Sequence, residues 1–206
     1  MHPSKLKPYI SEQDLCIVSH GGVGSNYISN FLYKQGIQTN CYLKEKILYP
    51  LTCHNPMMLH KRTNTPCLFI YGDYTNAILS MSKRQFLHIN ASKMHCDTIG
   101  SASGWPDRPL SQFINKFPND PLGIKRIIRR FKDDPQTTCI KYPYTKEQIE
   151  NTFKTIGINV ETDTMVIKNR TSYDLNQLEL YVPDRYNIEN IKYIIDIYKN
   201  FDDEIC

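Results

Sequence analysis

Leu15-Cys16-Ile17-Val18-Ser19-His20-Gly21-Gly22-Val23-Gly24-Ser25-Asn26 is the stretch whose reading decides the fold. Leu15 to Ser19 is a short apolar run, the pattern of a buried strand when turn residues bound it. Gly21, Gly22 and Gly24 cannot extend that strand. Ser25 then opens a helical pattern, because Tyr27, Ile28, Phe31 and Leu32 fall at i, i+1, i+4 and i+5 on one helical face. Gly36 is placed to close the helix.

The cycle recurs further along the chain. Ile47-Leu48-Tyr49 reads as a second strand and Cys67-Leu68-Phe69-Ile70-Tyr71 as a third, halted by Gly72-Asp73. A helix is expected from Tyr74, with Ala77, Ile78, Met81 and Phe86 on its inner side. Residues 89–119 carry Gly100, Gly104, Pro106 and Pro109 and read as a long irregular insert or lid. Helical spacing returns over Gly123 to Phe131. Thr138 to Tyr142 is a fourth strand, Lys146 to Ile156 a helix ended by Gly157, and Ile188 to Tyr198 a tail helix. Such an alternation predicts an α/β fold, a three-layer sandwich with a central parallel sheet. In such sheets ligands sit beyond the carboxyl ends of the strands. That rule points to residues 20–25, 52–55 and 72–73.

Composition sets the outer bounds. At 206 residues and 40% hydrophobic, one domain over residues 1–206 is expected, with residues 1–14 as an N-terminal extension. A chain of this length buries roughly 70% of its unfolded surface and needs no metal or disulfide to hold a core. No apolar run approaches the roughly 18 residues of a membrane span, and Met1 to Asp14 contains no apolar leader segment. The net charge of +4 favours anionic partners, but no RNA-binding motif or zinc finger accompanies it, which disfavours nucleic acid. The seven cysteines form no CxxC pair. They are expected to be reduced and the protein cytoplasmic.

The loop after the first strand suits an anion. Glycines let backbone N–H groups converge, and the helix N-terminus adds partial positive charge. The plainer alternative is a tight turn with Ser25 as an N-cap. A Walker A loop needs a Lys between the last Gly and the Ser, whereas Gly24 abuts Ser25 directly, so an ordinary ATPase or GTPase is disfavoured.

Taken with the later segments, the chain resembles the sulfotransferase family, as a short and divergent member. Gly24-Ser25-Asn26 is similar to the Gly-Thr-Thr of the family's phosphosulfate loop. Leu68 to Ser80 resembles its strand, Arg-Asn-Pro-type turn and helix, with Ser80 eight residues after Gly72, where the family's 3′-phosphate serine stands. Thr52-Cys53-His54-Asn55-Pro56 is similar to a Lys-Thr-His-x-Pro segment whose His removes the acceptor's proton. Cys139 to Ile158 resembles the late strand, turn and helix, and Lys168-Asn169-Arg170-Thr171-Ser172 the late basic loop.

The resemblance implies a P-loop NTPase-like fold and transfer of a sulfuryl group from PAPS (3′-phosphoadenosine 5′-phosphosulfate) to a hydroxyl or amine, without a metal. Gly22, Val23, Gly24, Ser25 and Asn26 would cradle the phosphosulfate, Ser80 and Arg170 would hold the 3′-phosphate, and His54 would be the base. The acceptor would be a small molecule or a glycan, an acidic one if the basic face Lys125-Arg126-Arg129-Arg130-Lys132 attracts it. Two departures stand out. Gly22 occupies the place of the loop Lys and Gly72 that of the 3′-phosphate Arg, so the expected cations are missing where charge stabilisation is often the largest catalytic contribution. His20, if protonated, would substitute for the Lys. The alternatives are a nucleotide-dependent phosphotransferase using the same loop, and a catalytically inactive anion-binding protein of the same fold. Cys53-His54 and His95-Cys96 lack the paired spacing of a metal site.

Overall fold

Strand β1 (Cys16–Ser19) and strand β4 (Cys67–Tyr71) are buried along their whole length, as expected of parallel strands covered on both faces. The computed structural model describes residues 13–43, 46–47, 53–54, 64–96, 108–167 and 172–201. β4 is the centre of a parallel sheet ordered β1–β4–β5, where β5 is Thr137–Lys141. Cys16 pairs with Cys67 and Cys67 with Thr137, and the registers run on without a break from there. β5 begins one residue before the expected strand and β4 matches it.

Alternation along the strands separates two cores. Leu15, Ile17, Leu68, Ile70 and Ile140 face helix α1 (Ser25–Lys34) and helix α6 (Lys146–Ile156). Cys16, Val18, Cys67, Phe69 and Tyr71 face the opposite layer. That layer contains α2 (Tyr74–Lys83), α3 (Leu87–Met94), α4 (Leu110–Lys116), α5 (Ile124–Lys132) and α7 (Ile188–Lys199), with a 3-10 segment over Leu175–Tyr181. The result is an α/β arrangement of three layers. Helix ends follow local chemistry. Thr145 and Gln148 form a reciprocal capping box at α6, and Gly157 (φ 82°) terminates it in the left-handed conformation.

Three expectations fail here. Lys46–Ile47 pairs antiparallel with Tyr42–Leu43 in a separate two-stranded hairpin, β2 and β3, rather than joining the sheet, while Leu48 and Tyr49 lie outside the described residues. The outer edge of β1 is met instead by Thr39, bridged in parallel to Leu15. Asn40 completes that edge with its side chain, accepting from Ile17 N–H at 2.8 Å and donating to Ile17 C=O at 2.9 Å. A side-chain amide thus does the work of a neighbouring strand's peptide group. Asn40→Ala would leave both groups of Ile17 buried and unpaired, and is expected to cost about 2–3 kcal/mol in urea unfolding.

The second failure concerns residues 89–119, which are not irregular throughout: they contain most of α3 and all of α4. The apolar positions Leu87, Ala91 and Met94, and Leu110 and Phe113, are buried in the core. Glycine and proline punctuation over 100–109 masked these short periodic stretches. The third is the cysteines. Cys41 is bridged to Cys53, and Cys139 is also disulfide-bonded. Cys16, Cys67 and Cys96 are buried thiols. Distance in sequence hid the Cys41–Cys53 pairing, and a cytoplasmic location inferred from reduced cysteines loses that support. No helix among the described residues is long and apolar enough to cross a membrane.

Candidate functional site

The chain leaves β1, forms α1, meets the outer edge of β1 at Thr39, and then returns past β1 to build β4. α1 therefore packs on one face and α2 on the other. The crevice beyond the carboxyl ends of β1 and β4 lies at this reversal, the place where open α/β sheets bind ligands. The glycine loop fills it. Gly21, Gly22 and Gly24 all have positive φ, at 94°, 74° and 79°, a run that L-residues with side chains rarely adopt. Gly24, not Ser25, is the N-cap residue of α1, and it makes no side-chain cap. The N–H groups of Val23, Gly24, Ser25 and Asn26 meet no hydrogen-bond partner among the described residues. Val23 itself is a core side chain, fully buried, so it offers only its backbone. Asn26 is exposed and Ser25 is buried.

Ser19 and His54 join this loop to a second segment. His54 Nδ1 lies 3.0 Å from Ser19 C=O and 3.0 Å from Ser19 Oγ. A carbonyl oxygen only accepts, so Nδ1 carries the proton and Nε2 the lone pair. Nε2 has no partner among the described residues. Ser19 Oγ in turn donates to Ser25 Oγ at 3.0 Å and accepts from Gly21 N–H at 3.4 Å. The chain of contacts His54–Ser19–Ser25 ends at the first residue of α1. Burial pushes the His54 imidazole down to about 4, with a further push from the Arg84 guanidinium, against the favourable bond to Ser19. His54 is a neutral ring whose Nε2 lone pair is open among the described residues, the form a general base needs, although its low proton affinity makes the base a weak one.

His20 is placed differently. Its Nε2–H donates to Gly72 C=O at 3.1 Å, which ties the two strand ends together, and its ring lies against Tyr74. Nδ1 is buried without a hydrogen-bond partner among the described residues. Burial, then the neighbouring His54, push this imidazole down to about 4 as well. His20 is therefore neutral at pH 7 and cannot stand in for a missing cation. Its backbone C=O accepts from Asn90 Nδ2 at 2.9 Å, which brings α3 to the loop.

The two glycines at the expected cation positions have a steric reason. A Cβ on Gly22 would lie 2.8 Å from Ala77 Cα and Cβ, and one on Gly72 would lie 2.6 Å from Tyr142 C=O. α2 runs against the loop here, since a Cβ on Gly21 would sit 2.7 Å from Met81 Sδ. Ser80 is buried on the same helix, one turn after Ala77. Its C=O accepts from Arg84 Nε at 2.9 Å. Arg84 is within electrostatic reach of His54, and sequence reasoning passed over it because it follows the last turn of α2. Tyr144 was missed too: a Cβ on Gly24 would come 3.1 Å from its hydroxyl, so this ring stands over the loop.

The structure thus gathers Gly22, Val23, Gly24, Ser25 and His54, with α2 carrying Ser80 alongside. Arg170 lies outside the described residues. Among the described residues no three His, Cys, Asp or Glu side chains gather as metal ligands. Comparison of the chain with protein-family models, curated proteins and solved structures finds no match.

Proposed function

We propose that the chain is a sulfotransferase-like α/β protein of the P-loop type. In this reading residues 22–26 hold the phosphosulfate of PAPS, and His54 faces a hydroxyl or amine acceptor. The observation that carries the reading is the set of N–H groups at Val23, Gly24, Ser25 and Asn26, open among the described residues, set at the sheet's reversal point and coupled through Ser25 and Ser19 to His54. Backbone donors of this kind suit an anion with several oxygens. His54 Nε2 supplies the acceptor for the incoming nucleophile's proton, and Ser19 holds the ring in the required tautomer. The attacking oxygen or nitrogen forms a bond to sulfur as the bond to the nucleotide phosphate oxygen breaks. The proton passes to His54. Ser80 and Arg170 would take the 3′-phosphate, and Arg84 is a cation within electrostatic reach of the base.

A second reading has its own observation. Gly22 and Gly72 leave no room for the cations the resemblance calls for, and His20 is neutral, which favours a protein that binds the anion without transferring it. Thermal-shift titration separates these readings from a phosphotransferase. Stabilisation by adenosine 3′,5′-bisphosphate without magnesium supports either PAPS reading. Stabilisation by ATP–Mg²⁺ alone supports the phosphotransferase, and response to neither sinks nucleotide binding at this loop. Transfer of labelled sulfate to an acceptor hydroxyl then decides between enzyme and binder. In an active protein His54→Ala is expected to lower transfer by at least about a hundredfold while retaining the bisphosphate shift.

A further inference from the structure

His54 is joined to the site by few attachments among the described residues. Among the described residues, Cys53 and His54 are tied by the Cys41–Cys53 disulfide, by a 3.9 Å contact between Cys53 Sγ and Ser29 Oγ on α1, and by the bonds of His54 to Ser19. The other end of the bridge is far better anchored. Cys41 follows Asn40, whose amide is doubly bonded to Ile17 in β1. Thr39 is bridged to Leu15, and Thr39 exchanges backbone bonds with Tyr42 at 2.8 and 3.1 Å. The disulfide therefore transmits the position of the sheet edge to the residue immediately before His54. Its two cysteines are 12 residues apart and both fully buried.

We propose that the Cys41–Cys53 disulfide is the positioning clamp of His54, so that the thiol–disulfide state of this pair decides whether the imidazole is seated on Ser19. The consequence for chemistry rests on the reading of His54 as the base; the clamp itself does not. Reduction by a dithiol delivers two electrons and two protons to the bridge, leaves Cys41 and Cys53 as thiols, and converts the reagent to its cyclic disulfide. With the bridge open, a weak sulfur contact and the Ser19 bonds are what still hold the ring among the described residues. Neutral hydrogen bonds such as those to Ser19 are of modest net strength. Because both sulfurs are buried, the reductant acts only through local opening, and substitution of the cysteines removes that dependence on access.

The test follows two histidines in one spectrum. The full chain, labelled with nitrogen-15, is titrated as oxidised wild type, as wild type with dithiothreitol, and as Cys41→Ala and Cys53→Ala. In the oxidised protein the imidazoles of His54 and His20 are both expected to titrate near 4. Loss of the bridge is expected to raise the His54 midpoint by one unit or more towards its ordinary 6.5, with the charged Arg84 limiting the rise and the neutral His20 beside it. His20 keeps its bond to Gly72 and its burial, so it moves much less. The proposal is overturned if His54 stays near 4 in both variants. Because His54 itself pushes His20 down, a small rise of His20 is expected; the proposal is also overturned if His20 rises as far as His54 or the chain unfolds, because the bridge is then a general staple. The readout needs no donor, so it stands or falls separately from the bisphosphate titration.

Discussion

Between pH 6.5 and pH 4 the folded protein is expected to lose roughly 6 kcal/mol of stability through His20 and His54 alone. Both rings are buried and neutral in the fold, and their pKa values are lowered from 6.5 to about 4. In the unfolded chain each accepts a proton once the pH falls below about 6.5. The unfolded state therefore binds more protons across this window, and stability rises with pH there. The contribution is complete above 6.5, declines by roughly 3 kcal/mol per histidine on the way down, and is exhausted below 4. Typical domains have only about 5–15 kcal/mol in all. Urea unfolding at pH 7, 5.5 and 4 would show the midpoint falling steeply. His54→Gln, which keeps a group able to reach Ser19 without titrating in this range, should remove about half of the slope. A midpoint equally pH-dependent in that variant would show that His54 is not buried as described.

Restoring the cation at position 72 is expected to damage the fold rather than create a site. Gly72→Arg places a side chain on a residue at φ 98°, with its Cβ 2.6 Å from Tyr142 C=O and 3.0 Å from Lys141 Cγ. The first obstacle is the backbone of the neighbouring strand's exit, which cannot rotate aside as a flexible side chain can. Left-handed strain and forced displacement together are expected to cost roughly 3–5 kcal/mol. The Gly72 carbonyl also accepts from His20, so any shift of this peptide loosens the strand-end tie. Gly157→Ala is the control. Gly157 has a similar φ of 82° but nothing within 4 Å of its would-be Cβ, so it carries the conformational penalty alone, about 1–2 kcal/mol. Equal losses in the two variants would mean that crowding at Gly72 contributes nothing.

These two results bear on the same question, the charge at the loop. The sequence lacks cations where a phosphosulfate would demand them, and the structure adds that positions 22 and 72 have no room for one and that His20 is uncharged. Arg84, at the end of α2, acts electrostatically on His54. In the proposed reading, donor binding would rest on backbone N–H groups, Ser25 and the field of Arg84, which suits modest affinity and strong salt dependence.

Much of the fold was legible from residue spacing. β4, α6 and the tail helix lie within a residue or two of where their periodicity puts them, because apolar side chains, caps and terminating glycines act within one or two turns of chain. Thr145, Gln148 and Gly157 mark the ends of α6 without help from elsewhere. Short elements were less readable. α3 and α4 are eight and seven residues long, too short for a helical period to stand out among glycines and prolines. The β2–β3 hairpin escaped for the same reason.

The sequence by itself determined the strand–glycine loop–helix unit, the burial of both sheet faces and the positions of the loop residues 22–26, since each follows from local propensity and pattern. Tertiary structure alone decided what surrounds them. His54 reaches Ser19 across 35 residues, His20 reaches Gly72 across 52, and Asn40 completes β1 across 23. Such contacts depend on which elements pack against which, and a neutral ring or a charged one is chosen by the water they exclude. That is why a histidine read as a possible cation became a buried neutral tie. It is also why two glycines that look like lost catalytic residues prove to be points where neighbouring backbone leaves no space for a side chain.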